Sequence, residues 1–124
     1  MARILVIEDD SLVREVVRHA LIEAGHDTAA MPDGPSGIAL ADEARPDAVV
    51  LDLKLPAMDG KQVLRALKGL YPDLPVFLFT VYGDFHHKLD VPEADGCFVK
   101  SADLTPLIQA VGRAVCRRNR GPRL

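Results

Sequence analysis

The sequence predicts an α/β fold, a doubly wound parallel sheet with helices packed on both faces. Two observations predict it. Three short continuous apolar runs, Ile4-Leu5-Val6-Ile7, Ala48-Val49-Val50-Leu51 and Val76-Phe77-Leu78-Phe79, have the length and side-chain types of strands covered on both faces. Stretches of helical spacing lie between them, and such alternation folds into a parallel sheet through right-handed crossovers. A third observation points to chemistry. Each run ends on a polar group, and open α/β sheets hold ligands outside the carboxyl ends of their strands.

The elements follow in order. After the first run, Val13, Val16, Val17, Ala20, Leu21 and Ala24 recur at helical spacing, and Gly25 is a suitable stop. A strand is expected over Asp27–Met31. Gly34-Pro35 opens a second helix reaching Ala44, and the Ala48 run follows. Val63, Leu64, Leu67 and Leu70 mark a third helix, ended by Tyr71-Pro72. After the Val76 run, the stretch from Tyr82 to Pro92 is less regular, with a short helix at about residues 84–90 that Pro92 ends. Cys97-Phe98-Val99 supplies a fifth strand. Thr105-Pro106 reads as N-cap and first turn of the last helix, with Leu107, Ile108, Val111, Ala114 and Val115 as its buried stripe.

The chain of 124 residues suits one domain with a core of its own, and 48% hydrophobic with 27% charged residues is ordinary globular composition. A net charge of −3 gives no overall attraction to nucleic acid or anionic membrane. Cys97 and Cys116 form neither a disulfide framework nor a CxxC pair, which fits a reducing cytosol. No signal peptide or membrane span is read, so a cytoplasmic location is expected. The arginine-rich end, with no aromatic residues interleaved, reads as a solvated tail that frays.

The polar endings make one chemical inventory: Glu8-Asp9 after the first strand, Asp52 after the third, Thr80 after the fourth and Lys100 after the fifth. Clustered carboxylates repel unless a cation joins them. Hard oxygen ligands with no His or Cys at ligand spacing favour Mg2+ (or Mn2+) over zinc or copper. The set suits phosphoryl transfer to a carboxylate: the cation, hydroxyl and ammonium take the phosphate oxygens, and Asp52 is the nucleophile. Taken singly, each residue has a plainer role: Asp9 as a helix N-cap, Asp52 as a solvent-facing strand end, Thr80 bonded to backbone, Lys100 as a surface ammonium. Asp10 is assigned to capping the first helix. His19, His26, His86 and His87 sit in separate segments, and His86-His87 reads as a surface feature.

On these residues the chain resembles the receiver domains of bacterial two-component response regulators, both the single-domain chemotaxis type and the receiver halves of transcription factors. The matching stretches are Arg3-Ile-Leu-Val-Ile-Glu-Asp9, Pro46-Asp-Ala-Val-Val-Leu-Asp-Leu-Lys-Leu-Pro-Ala-Met-Asp-Gly60, Pro75-Val-Phe-Leu-Phe-Thr80 and Ala94-Asp-Gly-Cys-Phe-Val-Lys100. The resemblance implies a five-stranded sheet of order 2-1-3-4-5 in a flavodoxin-like three-layer sandwich with about five helices. It implies a receiver domain over residues 1–118 and a basic tail over 119–124. It further implies that Asp52 accepts phosphate from a sensor histidine kinase or phosphotransfer protein. Asp9 and Asp52 would bind Mg2+ directly, Glu8 through water, and Lys54 through its backbone carbonyl. Thr80 and Lys100 would hold the phosphoryl oxygens, and Gly60 would supply the turn into the third helix.

The chain departs from the family pattern at several places. The interval from Thr80 to Lys100 is about two residues short, Cys97 stands where an aromatic switch residue is usual, Ser101 replaces a common proline, and Val81 is bulkier than the usual small residue. The expected function is a phosphorylation-controlled switch that changes its surface for an unknown partner protein, acting catalytically only on its own Asp52. No direct DNA contact and no attached output domain are expected. The alternatives are a scaffold that binds its partner independently of phosphate, and an Asp-nucleophile phosphatase. The latter needs a carboxylate two residues after the nucleophile, where this chain has Lys54.

Overall fold

The computed structural model describes residues 2–81 and 92–119. The helix expected at residues 84–90, His86-His87 and the tail after Asn119 lie outside the described residues. Within them the chain runs β1 (Arg3–Ile7), α1 (Ser11–Glu23), β2 (Asp27–Met31), α2 (Gly34–Ala44), β3 (Ala48–Leu51), α3 (Gly60–Leu70), β4 (Val76–Thr80), β5 (Gly96–Val99) and α4 (Thr105–Asn119). The strands form one five-stranded sheet of order β2-β1-β3-β4-β5, every pair parallel. Four helices are therefore described, against about five expected.

Period-two alternation divides the strands between two cores. On one face Ile4, Val6, Val50, Phe77 and Phe79 pack against Val17 and Leu21 of α1 and Leu107 and Val111 of α4. On the other, Leu5, Ile7, Val49, Leu51 and Leu78 pack against Ala41 of α2 and Val63, Leu64 and Leu67 of α3. Each buried Leu or Val side chain contributes roughly 1.5–3 kcal/mol. Leu70, expected on the α3 stripe, is exposed instead.

The helix ends are set by local hydrogen bonds. Asp10 caps α1, its carboxylate accepting from the amides of Leu12 and Val13. Gly25, at φ +98°, ends α1 in a Schellman arrangement, its amide donating to Ile22 O and that of His26 to Leu21 O. Asp33 caps α2, and Asp59 with Gln62 forms a capping box on α3. At α4 the expected cap is corrected. Thr105 is already helical, and its amide donates to Asp103 Oδ1 at 3.0 Å. A carboxylate two residues upstream reaches that unsatisfied amide, so the Thr105 hydroxyl is not needed there. No described helix is long and apolar enough to cross a membrane.

Candidate functional site

The parallel register brings the strand ends to one edge. Ile7 pairs with Leu51, so Glu8-Asp9 and Asp52 emerge side by side. The Asp52 amide donates to Ile7 O at 3.0 Å and the Glu8 amide to Met31 O at 3.0 Å, which fixes both exits. Thr80 pairs with Val99, placing Lys100 just beyond it, and the Lys100 amide donates to Thr80 O at 2.6 Å. Thr80 and Asp52 are buried, as is Glu8, while Asp9 is exposed.

Glu8, Asp9 and Asp52 each offer a carboxylate oxygen, and these oxygens lie within 4.8 Å of one another. Among the described residues this is the one cluster suited to a metal, and neither His19 nor His26 belongs to it. The Lys100 ammonium reaches in from the far side, with Nζ 2.6 Å from Glu8 Oε1 and 3.0 Å from Asp52 Oδ2. The second oxygen of Asp52 faces the Lys54 amide at 3.3 Å. With all three carboxylates ionised, one ammonium leaves two negative charges, the complement of one divalent cation. The donors are all oxygen, the preference of Mg2+ rather than of softer metals.

Burial pushes the Glu8 carboxyl up to about 7, against the pull of Lys100 and of the Asp10 amide. Lys100 is shifted up as well. Burial disfavours its charge, but its bonds to Glu8 and Asp52 win, and the ammonium is held above its usual range.

One supporting residue escaped the sequence reading. Arg14 Nη1 lies 2.9 Å from Glu8 O and 3.2 Å from Asp9 O, so a guanidinium on the first turns of α1 pins the backbone that carries two of the acids. Its sole sequence signal is a position in the first turns after the Asp10 cap. Asp9 also walls a cleft of about 730 Å3 lined by Leu53–Asp59 and Lys61. In that loop the Met58 amide donates to Pro56 O at 2.7 Å around Ala57, which sits at φ +68°. That is a γ-turn of the strained hand. On β5, Cys97 packs toward the α2–α3 core, whereas Phe98 packs toward the α1–α4 core with its ring 6.2 Å from that of Phe77.

A family model described as the response regulator receiver domain matches residues 4–112. The chain belongs to that family. Among curated relatives of this receiver, the response regulator MprA of Mycobacterium sp. (strain KMS) is 42% identical over 78 residues, covering 63% of this chain and 34% of MprA. The DNA-binding dual master transcriptional regulator RpaA of Synechocystis is 36% identical over 122 residues, covering 95% of this chain and 50% of RpaA. The receiver thus spans a third to a half of the relatives it matches. Among solved structures, a response regulator receiver domain protein of Clostridium thermocellum superposes with a TM-score of 0.89 at 25% identity, over 96% of this chain and 98% of its own. The response regulator TrrA of Thermotoga maritima, solved in complex with Mg(2+)-BeF, gives 0.86 at 27% identity over 92% and 99%.

Proposed function

We propose that this receiver accepts a phosphoryl group onto Asp52 from a phosphohistidine and changes its binding surface for a partner protein. The observation that carries the reading is the Lys100 ammonium 3.0 Å from Asp52 Oδ2 at a buried strand end. An Asp52 carboxylate oxygen attacks phosphorus, a P–O bond forms, and the P–N bond breaks with its electron pair leaving on the imidazole. Lys100 holds negative charge on the transferred group, and the Thr80 hydroxyl takes another of its oxygens. The Lys54 amide keeps the carboxylate oriented. Asp9, Asp52 and the Lys54 carbonyl would hold Mg2+ (or Mn2+), with Glu8 assisting through water. Once bound, the ion supplies charge neutralisation of the phosphoryl oxygens.

The proposed donor is a sensor histidine kinase or a phosphotransfer protein, and the proposed receiver unit is residues 1–118. The downstream partner is proposed to be a protein, with no DNA contact by these residues. The relatives are longer regulators, so what an attached segment would do is a separate matter from the chemistry at Asp52.

A small-molecule acyl phosphate with Mg2+ tests the reading. The chain should be labelled once, and labelling should vanish in Asp52→Ala or on chelation. Undiminished labelling of the Asp52→Ala protein overturns the assignment.

A further inference from the structure

We propose that Arg14 is a positioning residue for the metal site. Its guanidinium holds the two peptide planes on either side of Asp9, which aims the Asp9 carboxylate and sets the affinity for Mg2+. The inference deepens the reading above and rests on it for the role of Asp9 as a ligand, though not for the geometry of the brace.

Asp9 needs such a hold. Glu8 and Asp52 are buried and each meets the Lys100 ammonium, whereas Asp9 is exposed and packing does not fix its carboxylate. What remains is its backbone. A peptide group is planar, so the plane before a residue and the plane after it define φ and ψ, and with them the direction of Cβ. The Glu8 carbonyl belongs to the plane before Asp9, and the Asp9 carbonyl to the plane after it. Arg14 Nη1 carries two hydrogens and donates to both oxygens, at 2.9 and 3.2 Å. A single side-chain nitrogen therefore ties down both dihedrals of Asp9.

The far side of the second plane is held as well. The Asp10 N–H, on the same peptide as the Asp9 carbonyl, donates to Glu8 Oε2 at 3.1 Å. Rotation of that peptide breaks the bonds to Arg14 and to Glu8 together. Asp10 in turn caps α1 through the Leu12 and Val13 amides, and the Arg14 amide donates to Asp10 O at 2.8 Å. The helix that begins at the acids thus sends a side chain back to brace them.

Charge and position pull in opposite directions here. A guanidinium beside the acids repels a second cation, so loss of its charge alone would tighten Mg2+ binding. Loss of the brace weakens it, because groups that hold a metal ligand in place are typically worth about 10–100-fold in affinity. The sign of the change separates the two.

Mg2+ affinity is measured by calorimetric titration of the whole chain. Asp10 amide exchange is measured by NMR in chelator and read against the Val50 amide in the sheet, which reports global opening. In Arg14→Met, Mg2+ should bind about tenfold more weakly, and the Asp10 amide should exchange about tenfold faster than in the parent. Arg14→Lys keeps the charge on a side chain one bond shorter and should fall between the two in both measurements. Arg18→Met removes the same charge one turn on, where the guanidinium pairs with Glu15, and should leave both within about twofold of the parent. Should Arg14→Met fail to fold by circular dichroism, Arg14→Lys against the parent carries the comparison. Unchanged or tighter Mg2+ binding in the Arg14 variants overturns the proposal, as does unchanged Asp10 exchange. A parent chain that binds no Mg2+ sinks the metal reading and the affinity claim with it, while exchange in chelator still decides whether Arg14 holds the Asp9 backbone.

Discussion

Gly60 lies against the backbone of Asp52. A Cβ built on Gly60 would collide with the Asp52 carbonyl oxygen and would stand 2.5 Å from Leu53 Cα. The Gly60 amide meanwhile donates to Leu53 O at 2.9 Å, so α3 begins in direct contact with the acceptor strand end.

The first prediction follows from that contact. Backbone cannot turn away as a flexible side chain can, so Gly60→Ala must push α3 off the end of β3. Destabilisation of about 1–3 kcal/mol is expected from denaturant unfolding. Acyl-phosphate labelling of Asp52 should fall with it. A variant as stable as the parent would mean that α3 shifts freely here.

The second concerns pH. The Glu8 carboxyl titrates near 4.5 in the unfolded chain and about 7 in the fold, because burial disfavours its charge. Between these values the fold retains a proton that the unfolded chain has released, so metal-free stability falls as pH rises through that window. The loss is at most about 3 kcal/mol. Urea midpoints in chelator should drop from pH 5 to pH 8, and Glu8→Gln should remove this part of the drop. Identical pH profiles for the two proteins would rule out Glu8 as its source.

The third concerns charge crowding at the acids. Glu8, Asp9 and Asp52 present carboxylates within 4.8 Å, and Lys100 lies against Glu8 and Asp52. Asp9→Asn relieves repulsion in the metal-free protein, and a gain of about 1 kcal/mol would raise its melting temperature by about 4 °C. The same change should weaken Mg2+ binding at least tenfold, measured by the ion's effect on melting. Unchanged Mg2+ affinity would remove Asp9 from the ligand set.

Much of the fold was legible in the sequence because its signals are local. The apolar runs ending at Ile7, Leu51 and Phe79 are strands since nothing polar interrupts them, and β4 extends one residue further, to Thr80. Gly25 stops α1 as read, with a positive φ that its missing side chain permits. The juxtaposition of polar strand ends could be anticipated once the strands were taken as parallel, since parallel strands place like ends at one edge. Ala57 gave no such warning. Alanine carries no preference for φ +68°, and the turn it occupies is imposed by the loop between β3 and α3.

By itself, then, the sequence determined the elements, the two-faced burial of the strands and which residue types stand at their ends. These follow from periodicity and turn chemistry within a few residues. The tertiary structure alone decided how those ends meet. Glu8 and Lys100 are 92 positions apart by their numbering, on strands that are not neighbours, and only the sheet order and the reach of two side chains bring them to 2.6 Å. Arg14 pins the backbone of Glu8 and Asp9 for the same reason. A helical residue's bond to a strand end depends on how the helix is laid on the sheet, and no spacing along the chain encodes that.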